Sequence, residues 1–532
     1  MNQSFKNRNI LVLVFEILVI SLGVGGITFA TSRLLNSRTT TIIMAGEYNV
    51  EYVGEEKIKA SELEPISDSL IGINSNDKVI RVEFSLRGVK ENDDPNLIYD
   101  VMLSDMNIDC SLLNEYTKWN LYKNGNLISS GSLDPKFDGN VLGEYMRLTN
   151  TQEDLPEYNE EYDKYVLIFW ISESCDNLET CKLVDQSNII NSSIDMKVFI
   201  AVYSGEKTVF ERVPSNDNSC ANRPSLYDNM VPITYVNGEW VVADVNNNNK
   251  DYSWYDYGNS KWANAVVVNN PDNYSDVGKK ISNDDVLGYF VWIPRYRYKL
   301  WNVSDELTDS YHAYDNGIDI IFEGGLSDTP NTDIINDNYI THPAFSSLMK
   351  GFWVSKYEMS KDGEKYKFIM NKDSYRSDTL ENYKSISSAI STNYKLGDTI
   401  TSNMISNLEW GAILYLSHSK YGVCNQNGCD RISLNNSYIS GNDKQDTTTR
   451  NVYGVYDMGG ASGEYALGNA SVGTATSEVM LADGTSWSDS HGILNDSDYF
   501  IRGGIGMGMF SFVGISMDYL QYSTRITLYD NK

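Results

Sequence analysis

Histidine is the scarcest chemistry-bearing residue in this chain, with four copies in 532 residues. His312, His342, His418 and His491 are scattered, and no H-x-x-x-H spacing occurs. That removes the imidazole sets on which zinc and iron centres are built. Cysteine is little commoner, at six. The two local pairs, Cys175/Cys181 and Cys424/Cys429, lack C-x-x-C spacing, and His418 is the one imidazole near either. One histidine with two cysteines falls short of a zinc signature. Short loops of this kind read as disulfides in an exported protein, with free buried thiols as the alternative. Cys110 and Cys220 carry no assigned partner. Basic charge is also short: 43 Lys and Arg against 72 Asp and Glu give a net charge of −29. No Lys/Arg run offers a face for phosphates, so nucleic acid is excluded as a partner. The acidity reads as solubility and repulsion between copies, with cation binding in acidic loops as its other use. No G-x-S-x-G elbow points to a serine nucleophile. No repeat of roughly 20–50 residues points to a solenoid.

What is present begins with an apolar run, Ile10 to Ala30, of the length that crosses a bilayer. Lys6 and Arg8 precede it and Arg33 and Arg38 follow, so the flanking charges nearly balance. The sequence therefore predicts a cytoplasmic tail over 1–9 and a transmembrane anchor or signal over 10–32. Thr28-Phe-Ala30 leaves cleavage open as the alternative. Glu16 lies about two turns into the span, within reach of the headgroups. Localisation follows as single-pass in the cell membrane, with the later domains extracellular.

Residues 33–77 are polar and read as a stalk. From Lys78 short alternating runs take over. Val79–Ser85 places Ile80, Val82 and Phe84 on one face, and Leu97–Leu103, Trp119–Lys123, Asn126–Ser132, Tyr165–Ile171 and Met196–Tyr203 follow. Asn124-Gly125 is a hairpin signal. These strands predict a β-sandwich over 78–205, similar to the immunoglobulin-like modules of Gram-positive surface proteins. A polar linker spans 206–229. The last domain, 230–532, opens on Val231–Tyr235, the Asn237-Gly238 turn, Glu239–Ala243 and Lys261–Val266. Its one clear helix starts at Ser406, which forms a capping box with Glu409 and places Trp410, Ile413, Leu414 and Ser417 on one face.

Four blocks of this last domain come in a recognisable order. Tyr289-Phe-Val-Trp-Ile-Pro-Arg-Tyr-Arg-Tyr298 opens it, and Gly351-Phe-Trp-Val-Ser-Lys-Tyr-Glu-Met-Ser360 and Ser406–Leu416 follow. The fourth is Asn451-Val-Tyr-Gly-Val-Tyr-Asp-Met-Gly-Gly-Ala-Ser-Gly-Glu-Tyr465 with Arg502-Gly-Gly504. Together they resemble the formylglycine-generating enzyme family, the sulfatase-modifying-factor domain with its C-type-lectin-like fold. The resemblance implies an α+β lectin-like domain. It also implies what is missing: the family enzyme holds copper with two cysteines just after R-G-G, and Ile505–Lys532 contains none. Ile505-Gly-Met-Gly-Met509 stands there instead, and its methionines suit packing. In the family, a calcium ion is held at the positions of Asp457, Gly460, Ser462 and Glu464, oxygen ligands that suit a hard cation. Gly463 replaces a packing tryptophan of that motif. In the same fold the C-terminal segment forms the recognition face, which here means Met507, Met509, Phe512, Tyr519 and Tyr522, adaptable side chains for a binding surface.

The reading is a membrane-anchored bacterial surface protein whose lectin-like domain binds an extracellular protein or glycan and catalyses nothing. Calcium is the one cofactor expected. A structural pilus or surface-layer component and a divergent metal-dependent oxidase are the alternatives.

Overall fold

The computed structural model describes the chain from Phe29 to Asp530, apart from 31–40, 46–47, 55–56, 62–63, 76–77, 89–96, 144, 155–160, 174–191, 205, 213, 246–248, 300–316, 324–338, 347–348, 426–427, 469–477, 481–485, 489–498, 506–511 and 516–520. Two compact units result. One comprises residues up to Met106 with Asn114–Leu133 and Glu144–Arg212; the other comprises Asn107–Leu113, Asp134–Gly143 and Val213 onward.

The first unit is built of two sheets. In one, Ile80–Gly88, Asp163–Ser172, Thr117–Lys123 and Asn126–Ser132 lie side by side, with Tyr48–Gly54 and Thr41–Ala45 beyond. In the other, Ser193–Ser204 pairs Leu97–Ile108, which pairs Tyr145–Arg147. Alternation decides which side chains are inside: Val82, Phe84 and Leu86 are buried while Glu83 is exposed. Tyr99 of one sheet hydrogen-bonds Tyr165 of the other, so the two share a core that also holds Trp119 and Leu121. Asn124 and Gly125 take the positive φ values, 50° and 88°, that a two-residue hairpin needs.

The second unit centres on a seven-stranded antiparallel sheet. Its order is Glu239–Val242, Met230–Val236, Asn264–Val268, Val286–Pro294, Gly351–Ser355, Ile526–Asp530, Ile400–Met404. Every residue of the three strands Asn264–Val268, Val286–Pro294 and Gly351–Ser355 is buried. Their continuous apolar runs reflect cover on both faces. Trp292 and Trp353 face each other across two of them, ring centres 5.3 Å apart. Helix Leu380–Asn393 is capped by Thr379, whose side chain accepts from the Asn382 amide. Helix Asn407–Ser417 begins at the Ser406/Glu409 capping box. All eleven of its residues are buried, so it is enclosed rather than amphipathic.

Fold class is corrected by this architecture. The expected transmembrane helix and α+β lectin-like domain give way to a mostly β-sheet protein: among the described residues 45% are strand and 14% helix, with two α-helices. Long strands buried on both faces and a helix without a polar face blurred the periodicity on which an α+β assignment rests. The membrane and single-pass assignments are corrected with it. Among the described residues no helix is long and apolar enough to cross a membrane. Ile10–Thr28 lies outside the described residues. Phe29 and Ala30, counted into the predicted span, are extended and pair with Tyr203 and Val202. An apolar run measures length alone, and β-strands of the first unit are apolar too.

Two disulfides are described, Cys110–Cys220 and Cys424–Cys429, separated in sequence by 110 and 5 residues. The second is the expected pair, set on the short hairpin Cys424–Asn425/Gly428–Cys429. Cys175 and Cys181 lie outside the described residues. Peptide mapping after alkylation without reductant is expected to leave all four of these thiols unlabelled. Opening the short loop is expected to cost the second unit about 2 kcal/mol. Label on Cys110 or Cys220 in oxidised protein would refute the long-range pairing.

Candidate functional site: a buried charged motif

The motif Asn451–Tyr465 makes a turn and then a strand. Asp457 and Ala461 sit at φ 60° and 51°, and Gly460 at 80°. At Gly460 no side chain fits: a Cβ there would lie 2.3 Å from the Asn435 carbonyl oxygen. The chain then runs as strand Gly460–Leu467 against Tyr499–Gly504, which carries Arg502-Gly-Gly504. The two halves of the motif are thus neighbours in space.

Its charges point inward. Asp457 is fully buried and accepts from Asn435 Nδ2 at 2.9 Å, Ser440 Oγ at 2.6 Å and the Gly441 amide at 2.7 Å. Glu464 is equally buried, and both its oxygens are held by Arg525, the Nε bond being 2.7 Å. Arg525 also donates to the Ser355 and Tyr456 carbonyls at 3.3 and 3.1 Å. Burial works against that guanidinium's charge, and the Glu464 carboxylate outweighs it, leaving the pKa raised. Glu358 accepts from the Ser374 hydroxyl and from the Ser462 amide at 3.1 Å. Burial pushes the Glu358 carboxyl well above its ordinary range, and the Glu464 and Asp457 charges push it further. Lys356 donates to Asn264 Oδ1 at 2.7 Å and the Gly454 carbonyl at 2.9 Å. Desolvation drives its pKa well down.

These contacts test the calcium expectation on the residues themselves. A calcium ion takes six to eight oxygens. The Glu464 oxygens are engaged by a guanidinium and those of Asp457 by three donors. Ser462 gives its amide to Glu358 and its hydroxyl to the Gly463 carbonyl. Gly460 lies against Asn435. The donor set does not fit the ion. Among the described residues no three His, Cys, Asp or Glu side chains cluster for a metal.

Of the recognition-face residues, Met507, Met509 and Tyr519 lie outside the described residues. Phe512 opens strand Phe512–Ile515, which pairs with Tyr499–Gly504. Tyr522 is half-buried. Its ring lies 2.7 Å from where a Gly463 Cβ would be and packs edge-on to Tyr465 at 5.6 Å. Tyr522 thus occupies the space that a bulky side chain at 463 would fill. His342 and His418 are buried, and desolvation holds their pKa values down at about 3 and about 4. His312 and His491 lie outside the described residues.

Sequence reasoning missed Arg525, Lys356, Glu358 and Asn435. Arg525 offered one signal, a lone charge within the Ser523–Leu528 run. No protein-family model matches this chain, and no curated protein matches it.

Proposed function

We propose that the second unit is a non-catalytic binding module. One observation carries this reading. The motif's acids and bases are consumed inside the fold: Glu464 by Arg525, Asp457 by the Asn435–Gly441 loop, Glu358 by Ser374 and Ser462. Groups so placed hold loops in position and meet no substrate. The missing cysteines after Arg502 support the same reading. The ligand is then met by loop side chains outside the motif. Screening the intact, oxidised chain on protein and glycan arrays tests this. Saturable binding with the ligand recovered unchanged is expected. Absence of specific binding, or a chemically altered ligand, would refute it.

A further inference from the structure

One exposed stretch of the second unit runs against the chain's overall acidity. Residues 361–376 carry five bases, Lys361, Lys365, Lys367, Lys372 and Arg376, against the acids Asp362, Glu364 and Asp373. They form a continuous stretch of surface. Ser360–Asp362 pairs with Lys365–Lys367, and Lys372–Asp373 pairs with Ile439–Ser440. Lys367 is bound to Asp362 at 3.0 Å. Lys361, Lys365, Lys372 and Arg376 make no ion pair among the described residues. Lys361 acts on the Asp378 carboxylate and Lys365 and Lys372 on that of Asp362, but none of the three closes an ion pair.

Aromatic rings alternate with them. The Lys361 ammonium lies 5.1 Å from the Tyr366 ring centre and 5.2 Å from that of Tyr375. The Arg376 guanidinium lies 3.6 Å from the centre of Tyr438, whose side chain is 41% exposed beside Ile439 at 39%. Stacking pre-sets the cations on their rings, so less freedom is lost when an anion arrives. The Tyr438 loop is itself anchored: Asp457 holds Asn435, Ser440 and Gly441 on either side of it. The buried motif thereby fixes the position of this surface.

Resting on the binding reading above, we propose that the Lys361–Arg376 and Tyr438–Ile439 surface binds an acidic polysaccharide bearing carboxylates. Cations meet the carboxylates and tyrosine faces meet the sugar C–H faces. The −29 net charge is screened beyond about 8 Å at physiological salt, so a stretch of uronates responds to the local cations. A folded protein partner would need a broader apolar centre than Tyr438 and Ile439 supply.

Calorimetry on the intact, oxidised chain with polygalacturonate, its methyl ester and polyglutamate decides the matter. Polygalacturonate is expected to bind, and esterification or 0.5 M salt to weaken it roughly tenfold or more. Arg376→Ala and Tyr438→Ala are expected to weaken it similarly while melting as the parent does. Lys372→Glu, at an exposed position, serves if either of those misfolds. Equal binding of the ester, equal binding of polyglutamate, or unchanged binding by the variants would overturn the proposal. A neutral glycan or a protein captured instead would overturn this assignment and leave the binding reading standing.

Discussion

Replacing Arg525 by methionine is expected to lower the stability of the second unit by roughly 3–5 kcal/mol, the largest effect of any single change considered. The substitution leaves Glu464 fully buried with its two strongest donors gone, beside the carboxyls of Glu358 and Asp457. The Ser355 and Tyr456 carbonyls lose their donor as well. Glu464→Gln is expected to cost less, because Arg525 keeps both carbonyls and remains attracted to Glu358. Urea midpoints of the transition that belongs to the second unit measure both. Repeating them with calcium and with chelator settles the metal question directly. No shift is expected in parent or variants. A gain of about 2.7 kcal/mol near a hundredfold excess over the dissociation constant would restore the calcium site.

Two buried histidines are expected to destabilise the second unit in acid. His342 packs against Tyr296, Tyr298, Phe345 and Tyr415, and burial depresses its pKa to about 3. His418 is depressed to about 4. A histidine whose folded pKa lies below its unfolded value of about 6.5 contributes stability that is complete above that value and drains away as pH falls. For His342 alone the loss reaches roughly 2.7 kcal/mol by about pH 4.5, two units below the unfolded pKa. Glu358, Glu409, Asp457 and Glu464, whose pKa values burial raises, act oppositely, and so do Asp217 and Asp446. Burial raises Asp217 and Asp446 to about 6, so their contribution grows on acidification and is lost as pH rises through about 6. His342→Phe keeps the aromatic packing and removes the titration, though the Ala344 amide loses its acceptor. Its acid midpoint is expected to fall by about one pH unit. An unchanged acid midpoint would show that His342 does not govern the transition.

Local order was legible and long-range partnership was not. The Val79–Ser85 alternation lies on strand Ile80–Gly88, the Asn237-Gly238 turn joins two paired strands, and the Ser406/Glu409 box starts a helix. Each is written within a few consecutive residues. Helix Leu380–Asn393 escaped notice because its sequence is polar, rich in Ser, Thr and Asn, and it buries only Leu380, Tyr383, Ser387, Ile390 and Ser391. The site was half legible. The motif named Asp457 and Glu464, but Arg525 lies 61 residues beyond Glu464 and Asn435 lies 22 before Asp457, with no spacing to betray either. A carboxylate in a motif reads as a metal ligand until its cation is found. Cys110 and Cys220 were likewise left without partners, because nothing local links residues 110 apart.

The interleaving of the two units has a consequence for how the chain is made and cut. The second unit uses Asn107–Leu113 and Asp134–Gly143, stretches that leave the ribosome amid the first unit's own strands. A fragment beginning at Val213 would have Cys220 without its disulfide partner, and Lys350 without the Gly143 carbonyl its ammonium binds at 2.6 Å. Arg223 would lose Asn140 as well. Early segments of the nascent chain therefore wait for more than a hundred later residues before they are secured. A protease nick between Leu113 and Cys220 would leave both pieces joined until reductant is added.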